Sequence, residues 1–469
     1  MTKVLTINRT ILKEEFVMKK CLAVFLSLGL VFALLFTGCS STGSTSGQTG
    51  GHLSSGEAPS AAEPEQEASV PEGKEIEECT IRFDYWRWSD PAQNAVLAGI
   101  VENFMKEYPQ ITVEAGGTSA SQIVEQFTVQ SLSGDAPDVV VVPFQRMSQF
   151  AEMGFVISLE DYVKSEPGFL DQYYDTIIPL MTFEGEIYGI SHDIASSALY
   201  WNKSLFKEAG IDGPPASYEE FIEDAKKLTK PDIGQYGFAL SGWSEASNQS
   251  RWSSLFWANG ASIIDKEDEK TVLLDTPDGL ETFARIIELH TKHGITVPDP
   301  STLDYTTSVE MFSNNKIGMM QQNIGAAIAI QTQNPEVEFG IAPLKWDGYG
   351  MTSEGATAFI SSSSKHPDAA WEFIKYLTNA ESEKAWATEL HYMPSRKDVG
   401  ELEEVQNDWV VATYLNDIIP HSTMLPRIKQ SDKVWGVFFD QVQLAMNGKD
   451  PKEAASEAAA QMKAILEAE

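Results

Sequence analysis

The sequence is poor in cysteine and in positive charge. Its 469 residues include 3 cysteines, and 34 Lys and Arg stand against 68 Asp and Glu, which gives a formal net charge of -34. This balance argues against nucleic acid as a partner, because phosphate binding needs a cationic surface that releases counterions. An acidic surface keeps a protein soluble and apart from its copies, and we therefore expect a monomer.

Long apolar runs are also scarce, and the one present lies near the N-terminus. Met18-Lys19-Lys20 begins a basic stretch, and the uncharged segment from Cys21 to Phe36 follows it. This order is typical of a secretory signal peptide, and the run is short for a membrane span. The segment Leu35-Phe36-Thr37-Gly38-Cys39 resembles a bacterial lipobox, although Phe36 stands where leucine is usual. We predict lipidation of Cys39 and attachment to the outer face of the bacterial cytoplasmic membrane.

Two alternatives remain at this N-terminus. Residues 1–17 fit no signal, so residues 1–38 are interpreted as an over-extended start followed by the signal peptide, with Met18 as the hypothetical true start. An uncleaved anchor is the alternative to a lipidated cysteine.

Once the signal peptide with Cys21 has been removed and Cys39 carries lipid, Cys79 is the one remaining cysteine and no intramolecular disulfide can form. The domain must then be held together by a large core.

A polar segment separates the signal from the folded part. Residues 39–75 comprise the predicted lipidated cysteine and a stretch of Ser, Thr, Gly, Pro, Ala and Glu with almost no apolar residue. Such a composition buries too little surface to order itself and predicts a flexible linker. Beyond this segment the sequence contains no apolar run that is long enough to span a membrane.

Strand-like and helix-like patterns alternate from Cys79 onward. Apolar residues alternate at 81–85 and then recur at helical spacing over 97–104. The run Val139-Val140-Val141-Val142 predicts a strand that is buried on both faces. Ser217 and Glu220 form a capping box at the start of a later helix. A chain of this length exceeds a single core, so we predict an α/β protein of two doubly wound lobes.

Six segments resemble, in order, the extracellular solute-binding proteins of family 1, the carbohydrate-binding receptors of ABC importers. They are GDAPDVV at 134–140, GEIYGI at 185–190, YWNKSLFKEAGI at 200–211, FSNNKIGM at 312–319, KHPDAAWEF at 365–373 and YMPSR at 392–396.

The resemblance implies a type II periplasmic-binding-protein-like fold in which the chain crosses a hinge three times. We place the crossings near Ile190–Ile194, Phe312–Lys316 and Gly348–Gly355. Lobe 1 would then hold residues 76–192 plus 314–351, and lobe 2 residues 193–313 plus 352–469. The resemblance also implies that no bond of the ligand is broken and that an ABC permease is the partner. Neither a cofactor nor a metal is expected.

Aromatic rings and planar polar groups suit a sugar, because rings cover its C–H faces while carboxylates, amides and guanidinium pair with its hydroxyls. Ligands of doubly wound sheets sit beyond the carboxyl ends of the strands, where YWRWSD (residues 85–90) lies. The predicted ligand-binding residues are Trp86, Trp88, Asp90, Gln145, Arg146, Asp193, Trp243, Trp257, Asn323, Glu354 and Tyr392.

Several of these residues have a structural alternative. Trp86 would cap the lobe interior, Asp90 would cap a helix, and Arg146 would form a surface salt bridge. Two other functions also stay open. The same fold could bind a polyamine or glycerol phosphate. Many acids in the cleft would favour a polyamine, and clustered cations would favour a phosphate. A lipid-anchored glycoside hydrolase would need a pair of carboxylates at a fixed separation.

Overall fold

The structure, a computed structural model, describes residues 76–242, 246–428 and 430–467. Eleven strands lie in these ranges. They are β1 (Cys79–Tyr85), β2 (Ile111–Gly116), β3 (Val139–Pro143), β4 (Thr182–Phe183), β5 (Glu186–Ile187), β6 (Gly189–Asn202), β7 (Tyr236–Ala239), β8 (Ile317–Asn323), β9 (Phe339–Ala342), β10 (Thr352–Ile360) and β11 (Thr423–Met424).

Helices connect the strands and cover the sheet. The α-helices are α1 (Pro91–Glu107), α2 (Ala120–Ser133), α3 (Met147–Glu152), α4 (Glu160–Lys164), α5 (Ile178–Met181), α6 (Lys203–Ala209), α7 (Tyr218–Leu228), α8 (Ala246–Ala258), α9 (Pro277–Thr291), α10 (Tyr305–Ser313), α11 (Gly325–Gln333), α12 (Pro367–Leu377), α13 (Ala380–Leu390), α14 (Lys397–Gly400), α15 (Glu403–Gln406), α16 (Trp409–Thr413), α17 (Ser431–Met446) and α18 (Pro451–Leu466).

Local sequence patterns account for the first elements. β1 pairs in parallel with both β2 and β3, as the alternation of strands and helices predicted. The four valines of β3 are each 0% exposed, which confirms the prediction of a strand buried on both faces. At α7 the N–H of Glu220 donates to Ser217 Oγ at 3.2 Å, and the Glu220 carboxylate accepts from the N–H of Ala216 at 2.8 Å.

The main sheet runs in the order β2-β1-β3-β10-β6-β8-β7, and β6 joins its two parts. Residues Gly189 to Ser196 of β6 pair with β10, which in turn pairs with β3. From Ser197 onward β6 pairs instead with β8 and β9. We call β2, β1, β3, β10 and the first part of β6 the first strand group, and the second part of β6 with β8, β9 and β7 the second strand group.

This pairing groups the strands differently from the predicted lobe boundaries. Residues 314–351 were assigned to lobe 1, but their strands β8 and β9 pair with the second part of β6. Residues 352–469 were assigned to lobe 2, but β10 pairs with β3 of the first strand group. The chain returns at β10, and short family segments do not reveal which group a returning strand joins. The three hinge crossings stay a prediction.

The core extends through both strand groups. Its largest fully buried side chains include Trp252, Trp386, Tyr200 and Phe83. Across the described ranges no helix is both long and apolar enough to cross a membrane.

Candidate functional site

A cavity of about 240 Å³ lies where the two strand groups meet. Its lining residues are Trp86, Arg87, Pro143, Gln145, Ala195, Asn323, Ile324, Gly325, Glu354, Gly355 and Tyr392. Five of the eleven predicted ligand-binding residues are therefore brought together here: Trp86, Gln145, Asn323, Glu354 and Tyr392. The volume lies somewhat below the range of roughly 300–1,000 Å³ that small-molecule sites occupy.

The ends of strands bring these side chains together. Trp86 begins the 3₁₀ turn Trp86–Ser89 directly after β1, and Gln145 follows β3. Asn323 ends β8, and Glu354 lies early in β10. The first strand group thus provides one wall and the end of β8 the other, as expected for a ligand beyond the carboxyl ends of strands.

Arg87 is the central charged residue of the cavity, and its charge is already paired. Its Nη2 lies 2.9 Å from Asp193 Oδ2, with side chains that are 11% and 0% exposed. The guanidinium also lies over the ring of Tyr392, with Cζ 4.1 Å from the ring centroid, and over Trp86 at 5.2 Å. These contacts fix Arg87 between an aromatic wall and a buried carboxylate.

Asp193 was predicted to touch the ligand, and the structure places it against Arg87, outside the cavity lining. The residue is 0% exposed, and its carboxylate accepts hydrogen bonds from Trp386 Nε1 at 3.2 Å and the N–H of Ala356 at 3.1 Å. With Arg87 on the same carboxylate, no face is left for a sugar. Asp193 instead holds Arg87 in position.

The neighbouring His192 is a neutral residue of the same buried cluster. Its Nδ1 lies 3.3 Å from the Tyr85 hydroxyl, and its ring packs at 4.9 Å from that of Trp386. Burial lowers the pKa of His192 to about 4, although the charge of Asp193 acts in the opposite direction. His192 therefore carries no charge toward the cavity at neutral pH.

Two residues of the lining carry polar atoms without partners. Arg87 Nε and Gln145 Oε1 are buried and have no hydrogen-bond partner among the described residues. Such groups cost free energy unless a ligand or water completes them. Glu354 Oε1 accepts one bond, from Thr352 Oγ1 at 3.2 Å. The cavity therefore offers a donor and several acceptors beside two aromatic rings, which are the groups that a polyol ligand requires.

Three predicted residues close to the cavity have structural roles. Asp90 accepts from the N–H of Gln93 at 3.1 Å and caps α1, which was the stated alternative. Arg146 lies 3.6 Å from Asp432, in a partly exposed ion pair. Trp88 is half-buried against the core, and the lining does not include it.

The remaining predictions fall elsewhere. Trp257 is 3% exposed and donates from Nε1 to Ser262 Oγ at 3.2 Å. Lys266 Nζ lies 4.4 Å from the centroid of its ring. Trp257 therefore packs in the core, and the cavity lining does not include it. Trp243 and Cys39 lie outside the described residues.

Sequence reasoning missed Arg87, although the residue lies inside YWRWSD. Its aromatic neighbours matched the pattern of a sugar site, and no local pattern showed that Asp193 would pair with Arg87. The small lining residues Ala195, Gly325 and Gly355 were missed as well, because a residue that lines a cavity by being small leaves no chemical signal. Within the described residues no group of three or more His, Cys, Asp or Glu is placed to hold a metal ion.

Comparison with known proteins identifies what this arrangement is similar to. The family model of the bacterial extracellular solute-binding proteins matches residues 88–384. A maltotriose-binding protein of Pyrococcus abyssi is 25% identical over 401 residues, which cover 84% of this chain and 81% of that protein. A maltooligosaccharide ABC transporter solute-binding lipoprotein of Streptococcus pneumoniae is 23% identical over 409 residues, covering 84% and 89%.

Solved structures share the fold. An ABC transporter solute-binding protein of Thermotoga lettingae, bound with α-D-tagatose, superposes with a TM-score of 0.72 at 23% identity, covering 82% of this chain and 99% of that one. This similarity confirms the predicted α/β fold of the periplasmic-binding-protein type.

Proposed function

Because the chain belongs to the bacterial extracellular solute-binding protein family, we propose that it captures a sugar or oligosaccharide between its two strand groups and delivers it to the permease of an ABC importer. The observation that carries this proposal is the composition of one cavity. Aromatic rings of Trp86 and Tyr392 lie beside the unpartnered polar atoms of Arg87 and Gln145. Asn323 adds an amide from the opposite strand group.

The charges of the cavity favour a sugar over the two other ligand classes. A polyamine would need several carboxylates and a phosphate several cations, whereas the described lining holds Glu354 as its one carboxylate and Arg87 as its one cation. Arg87 is already paired with Asp193. A neutral, hydroxyl-rich ligand places the least demand on such a site.

Binding without catalysis fits the same lining. Glycoside hydrolysis requires two carboxyl groups that flank the scissile bond, at roughly 5–9.5 Å from one another. Glu354 is the one carboxylate of the described lining, and Asp193 behind Arg87 is buried and paired, so it supplies neither an acid nor a base to a ligand. Under the proposed function, the protein therefore releases its sugar unchanged.

Contacts from both strand groups give the ligand a mechanical role. A sugar that touches Gln145 on one wall and Asn323 on the other stabilises the closed arrangement over the open one. We infer that the permease recognises this closed form. The lipobox-like segment at Cys39 and the lipoprotein of S. pneumoniae support a lipid-anchored, extracytoplasmic location.

A thermal unfolding screen tests the proposal. The full-length protein is heated with mono- and oligosaccharides, polyamines and phosphorylated polyols. A ligand at 100 times its Kd adds about 2.7 kcal/mol to the free energy of unfolding and raises the midpoint temperature measurably. We expect one class of sugar to raise it.

The variant Glu354→Ala should raise the Kd for that sugar about tenfold, since a hydrogen bond to a charged group is lost. Glu336→Ala, which removes an exposed glutamate far from the lining, is the control. A shift with a polyamine or a phosphate and none with any sugar would contradict the proposed ligand.

A further inference from the structure

A line of hydroxyl groups leads from the cavity into the core. Thr352 Oγ1 donates to Glu354 Oε1 at 3.2 Å, and Ser197 Oγ lies 2.9 Å from Thr352 Oγ1. Ser254 Oγ lies 3.1 Å from Ser197 Oγ. Ser197, Ser254 and Thr352 are at most 2% exposed, and Glu354 reaches the cavity.

The chemistry of the end residue fixes the direction of these bonds. A carboxylate oxygen only accepts, so the single hydroxyl proton of Thr352 points at Glu354. Ser197 must then donate its single hydroxyl proton to Thr352. The protons of Ser197 and Thr352 therefore point toward Glu354, and hydrogen bonds arranged in one direction strengthen one another.

Ser197 lies at the residue where β6 changes its partner. Ser196 pairs with Ser353 of β10, while Ser197 pairs with Asn323 of β8. The Ser197 hydroxyl also accepts from the N–H of Thr352 at 3.1 Å. One buried serine is thus connected to two cavity residues from different strand groups. Its backbone pairs with Asn323, and its hydroxyl reaches Glu354 through Thr352.

We propose that Thr352 and Ser197 are positioning residues that fix the Glu354 carboxylate for the ligand; this inference rests on the proposed function. Glu354 alone would be a flexible side chain whose ordering reduces affinity on binding. The hydroxyl chain orders it beforehand, and ligand groups held by a locked support bind more tightly than free ones. Neither Thr352 nor Ser197 lines the cavity.

The test is the isosteric variant Thr352→Val, which removes the hydroxyl that holds Glu354. We expect the Kd for the sugar found in the screen to rise on the order of fivefold, which is less than the loss of Glu354 itself. Thr352→Ser should restore the affinity. Thr357→Val is the matched control, because Thr357 is 1% exposed in the same strand and does not line the cavity.

A double-mutant cycle separates positioning from general damage to the fold. In the Glu354→Ala background Thr352→Val should cause no further loss, since no carboxylate remains to be held. An equal loss in both backgrounds, or an unchanged Kd in Thr352→Val, would overturn the inference and leave the proposed function intact. If no sugar binds the unaltered protein, both fall together.

If Thr352→Val does not fold, Ser197→Ala replaces it in the cycle. This variant keeps the bond between Thr352 and Glu354 but removes the donor behind it, so a smaller rise in Kd is expected. The rise should again vanish in the Glu354→Ala background, and its persistence there would count against the inference.

Discussion

Two ion pairs, each with one predicted site residue, show how burial decides the role of a charge. Arg87 and Asp193 meet at 2.9 Å with almost no solvent contact. Arg146 and Asp432 meet at 3.6 Å, and Asp432 is 76% exposed. Solvent screens the second pair, whereas breaking the first leaves a charge in the interior without compensation.

We therefore expect Asp193→Asn to lower the free energy of unfolding by about 3 kcal/mol, because Arg87 remains buried without its counter-charge. Chemical denaturation of the ligand-free protein measures the loss.

Asp432→Asn is the control and should change the free energy of unfolding by no more than about 0.5 kcal/mol. Equal losses in the two variants would show that the Arg87 pair is no more than a surface contact.

Residue roles were predicted where the signal is local and missed where it is not. The position of YWRWSD after a strand located Trp86 correctly beside the cavity, and the residues after β3 located Gln145. The role of Asp193 depends on Arg87, which lies 106 positions earlier, and no pattern in the sequence reports that contact. The sequence does not distinguish a buried tryptophan such as Trp257 from one that lines a cavity.

At the scale of elements, close approach between strands explains the glycine in the cavity wall. Gly355 pairs with Ile194 of β6, and a Cβ on Gly355 would lie 2.4 Å from the backbone oxygen of Asp193. Gly99 lies inside α1, and a Cβ there would meet nothing within 4 Å. One glycine is required by packing and the other is not.

Alanine at these two positions should have opposite effects. Gly355→Ala forces β10 away from β6, and we expect a loss of about 2 kcal/mol in the free energy of unfolding, together with weaker sugar binding. Gly99→Ala should gain roughly 0.5–1 kcal/mol, because glycine in a helix interior has more conformational freedom to lose on folding.

Thermal and denaturant unfolding of both variants provide the comparison. A stable Gly355→Ala with unchanged affinity would mean that β10 and β6 can separate without cost.

The elements themselves were easier to predict than their partners. Periodicity and caps predicted β1, β3 and α7 because each depends on residues within a few positions. The place of β10 between β3 and β6 depends on contacts across more than 150 residues of chain, so the sequence did not indicate which strand group the segments after residue 314 join.

At the scale of the molecule, the lipobox-like segment at Cys39 predicts a lipid anchor. We expect Cys39→Ser to move the protein from the membrane fraction to the medium when it is made in a bacterium that processes lipoproteins, since the acyl chains supply the anchor. Fractionation followed by immunoblotting measures the distribution.

Cys79→Ser is the control and should stay with the membrane, because Cys79 is a half-buried residue of β1. Retention of Cys39→Ser in the membrane fraction would favour the uncleaved anchor over the lipid.

The late position of β10 bears on when the sheet is completed. During synthesis β1, β2, β3 and β6 are complete by residue 202, but the strand that joins β3 to β6 ends at residue 360. Until then the first strand group has a gap at its centre, and its edges on either side stay unpaired. Pairing between segments so far apart in the chain forms slowly, so we expect this sheet to stay incomplete until late in synthesis.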